Sequence, residues 1–194
     1  MILPSVTAPA DDRRRLKALI ALLLIVATAG WDQGSKSLAR ARLDGRPPVY
    51  LVGGVLQLRW VQNEGAFLSL GAALPKPTRM VIFVAFPLVV LAFMIGSLLR
   101  RRGLGWGQLI GLSLVVGGGA GNLVDRIFRD GRVGDFILLA AGRLHTGILN
   151  FADLFVTAGC VVLVFAPTSS RQQVTNGKSP GRREDRPGPR GGRS

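Results

Sequence analysis

Residues 80–99 read MVIFVAFPLVVLAFMIGSLL, twenty consecutive residues without a charge, bounded by Arg79 and by Arg100-Arg101-Arg102. Twenty helical residues rise about 30 Å, the thickness of a hydrocarbon core, so this stretch reads as a transmembrane helix. Pro87 marks a kink inside it, which neighbouring helices accommodate. The stretch has neighbours of the same kind. Residues 103–124 are 22 uncharged residues, rich in glycine toward the end (Gly117, Gly118, Gly119, Gly121), and small residues let helices approach closely. Residues 18–31 are 14 uncharged, mostly aliphatic residues. As helix they rise only about 21 Å, so a spanning helix must continue past Asp32 to Lys36 or beyond. Residues 146–170 are apolar apart from Asp153 and a few uncharged polar residues, most strongly over 154–166. The reading is an all-α membrane protein with four transmembrane helices.

Composition agrees. Of 194 residues, 48% are apolar, the mean hydropathy is +0.34, and only 19% are charged, against about 25% in soluble domains. This excludes a chain disordered as a whole and argues against an ordinary soluble enzyme. One cysteine, Cys160, excludes a disulfide framework and a Cys-built metal site. It lies in an apolar helix and reads as a small buried residue. One histidine, His145, leaves no His cluster for metal chemistry and no base for a nucleophilic Ser or Cys.

The net charge of +14 suggests a nucleic-acid binder until it is located. Arg13, Arg14, Arg15 and Lys17 precede the first apolar run, Arg100–Arg102 separate two runs, and residues 171–193 hold seven Lys/Arg against Glu184 and Asp185. Positive charge at the ends of hydrophobic stretches is a topology pattern. It places both termini in the cytoplasm and the two longer connections, about 40–78 and 125–149, outside, although Arg40, Arg42, Arg46, Arg59, Lys76 and Arg79 sit in or beside the first. Residues 1–16 form a polar N-terminal arm. Residues 169–194 form a basic disordered tail with affinity for anionic lipid, and nucleic acid is not an expected partner. A cleavable leader, ending near Ala27-Thr28-Ala29, is the alternative reading of the first run; three further runs favour a retained helix.

The first outer segment has a different texture. Residues 49–62, VYLVGGVLQLRWVQ, are β-branched and aromatic. Leu56, Leu58 and Trp60 share one face of a strand, Gln57 and Arg59 the other, and Val61 breaks the alternation. Gly53-Gly54 supply a turn. A small extracytoplasmic sheet or hairpin is expected there.

Ionisable residues in membrane helices cost about 2.5–3.5 kcal/mol each on insertion scales and point to function. Asp32, Asp125 and Asp153 all fall at the outer ends of helices, and Asp135, in the loop between the third and fourth, has apolar residues after it and is able to dip into the same region. Asn122 and Asp125 are i and i+3, Asn122 and Arg126 i and i+4, Asn150 and Asp153 i and i+3, so each set shares a helix face. Asp32 and Lys36, i and i+4, read as an ion pair, and Asn150 also suits a helix N-cap. Two carboxylates sharing a proton supply a general base toward water and an acid toward a carbonyl. A proton relay in a small transporter or assembly subunit uses the same residue types, and a non-catalytic scaffold holds them as structural pairs. Chemistry alone does not choose Asp135 over Asp125.

Four blocks carry a resemblance: Asp32-Gln33-Gly34-Ser35-Lys36, Asn63-Glu64-Gly65-Ala66-Phe67, the run GGAGNLVDRIFRDGRVGDF over 118–136, and Asn150-Phe151-Ala152-Asp153. In this order they resemble the lipoprotein signal peptidase (signal peptidase II) family, membrane aspartyl proteases of bacteria, over about residues 17–166. The resemblance implies a four-helix peptidase domain over 17–168, with a small periplasmic β-cradle and a loop or short helix over the site. It puts the catalytic dyad on Asp135 and Asp153. Asn63, Gly65, Asn122, Arg126, Asn150 and Ala152 become substrate-binding or dyad-orienting residues, and Asp32, Lys36 and Asp125 structural polar supports. The implied substrate is a prolipoprotein, cut just before a Cys bearing a diacylglyceryl group. The enzyme would act in the bacterial cytoplasmic membrane near its outer face, as a monomer, without metal or organic cofactor. Three departures stand out: Phe67 comes one residue early, Gly134 replaces a more usual aliphatic, and residues 137–149 lack the expected aromatics.

Overall fold

A computed structural model describes residues 10–65, 70–100 and 104–167. Helix α1 spans Ala10–Leu43, 34 residues, about 51 Å of rise. It therefore runs well past Asp32 and Lys36. It also begins at Ala10, so the cluster Arg13–Lys17 lies on its first turns rather than in a separate arm; Asp12 near its start suits the positive end of the helix dipole. Helix α2 spans Lys76–Arg100. A π-helical turn over Val81–Ala85 precedes Pro87. Proline brings no N–H and crowds the carbonyl four residues back, and the wider turn accommodates it where a kink was expected. Helix α3, Trp106–Phe128, has 23 residues, and helix α4, Phe151–Phe165, has 15.

Helices α1, α2 and α3 are long and apolar enough to cross a membrane. Helix α4 rises only about 22 Å, so among the described residues three helices, not four, meet that requirement. Their outward faces are unpartnered hydrocarbon: Leu22, Leu23 and Val26 on α1, Val89 and Phe93 on α2, and Val164 and Phe165 on α4 are all exposed, as expected of surfaces facing lipid. Cys160 is exposed on α4 too, correcting its reading as a buried residue. Its neighbour Gly159 takes the packed face, where an added Cβ would sit 2.7 Å from the Gly111 carbonyl of α3.

Helix α3 is the hub. Its glycines bring backbones together, so that a Cβ at Gly118 would stand 2.6 Å from the Ala152 carbonyl and one at Gly121 2.6 Å from the Asp32 carboxylate. Leu91, Val116 and Leu123 form the apolar core between α2 and α3, with Ile25 of α1 against it.

The chain is not purely helical. Strands β1 (Val49–Leu51), β2 (Leu56–Asn63), β3 (Val133–Ala141) and β4 (Leu144–His145) form one antiparallel sheet in the order β1-β2-β3-β4. The β1–β2 connection turns through Gly53 and Gly54 at φ +63° and +87°, a region open to glycine. The break in alternation at Val61 is a β-bulge. Leu58 pairs with Ile137 and Val61 with Asp135, so that Arg59 and Trp60 on β2 oppose Phe136 alone on β3. The sheet sits on the far end of α1, where Ala39, Leu43 and Phe136 form a core with Leu58, Trp60 and Phe151. Residues 1–9, 66–69, 101–103 and 168–194 lie outside the described residues, and with them Ala66-Phe67, most of the Arg100–Arg102 loop, part of any cover over the site, and the basic tail.

Candidate active site

Sheet register and one returning strand build the site. Asn63 pairs with Val133 across β2 and β3, which puts its side chain diagonal to Asp135 on the same face. Its Nδ2 donates to Asp135 Oδ2 at 3.0 Å. After β4 the chain comes back along β3: Leu149 N donates to Ile137 O at 2.7 Å, and Phe136 N to Leu149 O at 2.9 Å. Asn150 is thereby delivered beside Asp135, and its Nδ2 donates to Asp135 Oδ1 at 2.6 Å. Sequence reading left Asp135 in a loop. The structure makes it a strand residue, 3% exposed, its direction fixed by the ladder.

Asn150 also starts α4. Its side chain accepts from Asp153 N at 3.1 Å, and Asp153 Oδ2 accepts from Asn150 N at 3.1 Å. This reciprocal cap satisfies two donors that a helix start leaves open. It also turns Asp153 back toward Asn150, where Oδ1 accepts from Asn122 Nδ2 at 2.9 Å. Asn122 Oδ1 accepts from Asn150 Nδ2 at 3.1 Å and from Lys36 Nζ at 2.9 Å. Asp135, Asp153, Asn63, Asn122, Asn150 and Arg126 line one cavity of about 160 Å³, closed by Val133 and Ile148.

Beneath the cavity lies a sealed ion cluster. Lys36 Nζ stands 2.6 Å from Asp32 Oδ2 and 3.0 Å from Asp125 Oδ2, and all three side chains are fully buried. Each carboxylate also holds backbone near the site. Ala152 N donates to Asp32 Oδ1 at 2.9 Å, and Gly134 N to Asp125 Oδ2 at 3.1 Å. The residues before both cavity carboxylates, Ala152 before Asp153 and Gly134 before Asp135, are thus anchored to one cluster. Sequence reading missed Gln33, whose Nε2 reaches Asp125 Oδ1 at 3.1 Å and the Gly121 carbonyl at 2.9 Å. Its only signal was its place inside the first block.

Arg126 donates from Nη2 to the Gly65 carbonyl at 3.0 Å and lies 5.6 Å over the Phe83 ring. Its buried Nε has no hydrogen-bond partner among the described residues. Gly134 is explained by its neighbours. A Cβ there would meet Arg129 Nη1 and Trp60 Cζ2, each at 2.9 Å, and Arg129 stacks 5.8 Å over Trp60. His145 is exposed and remote, its Nδ1 3.1 Å from Thr146 O.

Burial pushes the Asp135 carboxyl up to about 6; the Asp153 charge adds to the rise, and the amide bonds from Asn63 and Asn150 oppose it. A carboxyl that holds its proton up to about pH 6, well above the usual carboxylate range, beside a second carboxyl in a small polar cavity, suits acid–base work on water.

Apolar helices around a small polar cavity that brings two carboxylates together describe a membrane protein with a polar site at one end of its helix bundle. Comparison with known proteins narrows it. The sequence model of the signal peptidase (SPase) II family matches residues 23–168, and the chain belongs to that family. It is 36% identical over 157 residues to the lipoprotein signal peptidase of Streptomyces griseus, covering 77% of this chain and 74% of that protein. It is 35% identical over 161 residues to that of Rhodococcus jostii, covering 80% and 74%. With the protein of the same name from Treponema denticola it shares 34% over 144 residues, covering 71% and 79%. The fold is similar to a bacterial membrane enzyme solved by the in meso method at 2.3 Å, with TM-score 0.65 and 21% identity over 75% of this chain and 85% of that one.

Proposed function

We propose that this protein removes signal peptides from prolipoproteins, cleaving just before the diacylglyceryl-modified Cys, with water activated between Asp135 and Asp153. The observation that carries the reading is the single cavity lined by both carboxylates, with Asn63 and Asn150 donating to Asp135 and Asn122 to Asp153. Asp153 takes a proton from water as its oxygen attacks the scissile carbonyl, and Asp135 gives its proton to the carbonyl oxygen. The tetrahedral diol collapses as Asp153 returns its proton to the leaving nitrogen of the Cys, the C–N bond breaks, and Asp135 recovers its own proton. Arg126 and Asn63, both lining the cavity, would contact the peptide backbone of the substrate. Asp32, Lys36 and Asp125 serve as supports. A proton relay through Asp32 and Asp125 is disfavoured because both are fully buried and locked onto Lys36.

In this reading α4 is a fourth, short span and the protein acts as a monomer in the bacterial cytoplasmic membrane. Arg13, Arg14, Lys17 and Arg100 lie at the cytoplasmic end, with both termini, and the cavity lies near the outer face. The substrate's lipid then stays in the bilayer while its peptide reaches the polar cavity. The test is cleavage of a diacylglyceryl-modified prolipoprotein by the purified protein in lipid, beside Asp135→Asn and Asp153→Asn, with the product masses locating the cut. Cleavage before the modified Cys, lost in both variants while they stay folded, is the expected result. Cleavage that survives in Asp135→Asn removes the dyad.

A further inference from the structure

A second cavity, of about 420 Å³, opens between α1, α2 and α3 at the end of the bundle remote from the carboxylates. Its mouth carries Arg13, Arg14 and Lys17, no acidic residue among the described residues lines it, and its walls are hydrocarbon, including Leu22, Ile25 and Leu98. The cations are held in place. Arg14 Nη2 donates to the Leu99 carbonyl at 3.2 Å, Lys17 Nζ donates to the Leu104 carbonyl at 2.7 Å, and Lys17 lies 5.4 Å over the Trp106 ring. These bonds use one donor of each group, whereas a guanidinium has five and an ammonium three. Positions 13, 14 and 17 share one helical face, while Asp12 and Arg15, i and i+3, share another. Lys17 and Lys36 are nineteen residues apart on α1, about 28 Å along its axis. The cationic mouth and the polar cluster therefore sit at opposite interfaces of a bilayer.

We infer that this cavity is a binding site for an anionic phospholipid, its phosphate on Arg13, Arg14 and Lys17 and one acyl chain between α1 and α2. A free anion satisfies the mouth and leaves the apolar walls empty. A zwitterionic lipid fills the walls and brings a cation to three cations. Only a lipid with net negative charge and a hydrocarbon chain matches both, and basic pockets between transmembrane helices on the cytoplasmic side bind such headgroups. The occupied site joins the first turns of α1 to the α2–α3 connection, at the end of the bundle away from the cleavage chemistry.

The test is native mass spectrometry of the full chain with equal amounts of phosphatidylglycerol and phosphatidylcholine of the same acyl chains. Phosphatidylglycerol should be retained preferentially, and the preference should fall about fivefold for each of Arg13, Arg14 and Lys17 changed to Gln, the equivalent of about 1 kcal/mol per cation. Arg15→Gln, one residue away but off the face, should keep it, and excess glycerol phosphate should not compete. Equal retention of the two lipids, the same loss in Arg15→Gln, or displacement by glycerol phosphate would each overturn the assignment. If any of these variants does not fold, Arg13→Glu, at an exposed position, should lower the preference in the same direction and by more than Arg13→Gln.

Discussion

Replacing Asp135 by Asn separates two effects that are usually entangled. The carboxylate accepts from Asn150 Nδ2 on one oxygen and from Asn63 Nδ2 on the other. An amide keeps one acceptor and turns an NH2 toward the other donor, a fixed penalty of about 1–3 kcal/mol at any pH. The second effect depends on pH. The folded carboxyl titrates near 6 and the unfolded one near 3.8. Between these values the folded chain holds a proton that the unfolded chain has released, so stability falls as pH rises, by about 3 kcal/mol across the window, most of it between pH 4 and 7. Asn at 135 has no such slope. Unfolding temperatures of the two proteins, measured in one lipid–detergent mixture from pH 4 to 7, should therefore converge or cross. The original chain should lose about 5–10 °C relative to the variant as pH rises. The constant penalty cancels in this difference. Parallel curves would refute the reasoning, because they would mean that Asp135 does not hold a proton in the folded cavity. The same proton should appear in catalysis as an alkaline decline of kcat/KM with an apparent pKa near 6 that belongs to the pair, and activity in the variant should fall at least about 100-fold.

Lys36→Met leaves Asp32 buried without a cation and Asp125 with only Arg129, at 3.4 Å, and should cost about 3–5 kcal/mol of stability; the triple change with Asp32→Asn and Asp125→Asn should recover much of it in thermal unfolding. Gly118→Ala places a methyl 2.6 Å from the Ala152 carbonyl, pushing away the turn that carries Asp153. It should cost about 1–3 kcal/mol and lower kcat more than it raises KM in a prolipoprotein cleavage assay. Gly134→Val collides with Trp60 and Arg129 and should lower folded yield, while Trp60→Ala in the same chain should restore it.

The helices were legible because hydropathy is a local property, and the length of each uncharged run states its own span. That logic weakened at the fourth helix. Residues 146–170 are apolar almost throughout, but the segment before Asn150 is drawn into the sheet by Ile137 and Leu149, leaving a helix of 15 residues. The Val61 irregularity was visible in the sequence, whereas its meaning as a bulge was not, because a bulge exists only relative to a partner strand, here Asp135 opposite Val61 and Ile137 opposite Leu58. Asp135 suffered the same blindness. Between Gly134 and Phe136 it has no helical spacing to the other carboxylates, and residue chemistry ranked it level with Asp125; the family resemblance separated them. Gln33 and Gly134 escaped for a related reason, since one acts through contacts to α3 and the other through the size of Trp60.

The ion cluster explains why an enzyme in a membrane retains three fully buried charges beside its site. An asparagine amide has an oxygen end and a nitrogen end, and Asn122 needs its nitrogen toward Asp153. Lys36 Nζ and Asn150 Nδ2 both donate to Asn122 Oδ1, which leaves Nδ2 as the end facing the carboxylate. A reversed amide would set an N–H against two other donors in a dry interior, with the penalty of unpaired buried polar groups. Lys36 therefore transmits orientation. Its charge is neutralised locally by Asp32 and Asp125, and what reaches the cavity is a fixed direction for one amide. Those two carboxylates in turn hold the backbone N–H groups of Ala152 and Gly134, each one residue before a cavity carboxylate. Helices α1, α3 and α4 and strand β3 thus meet at a single cluster. The two cavity carboxylates keep their relative placement although one rides on a helix and the other on a sheet.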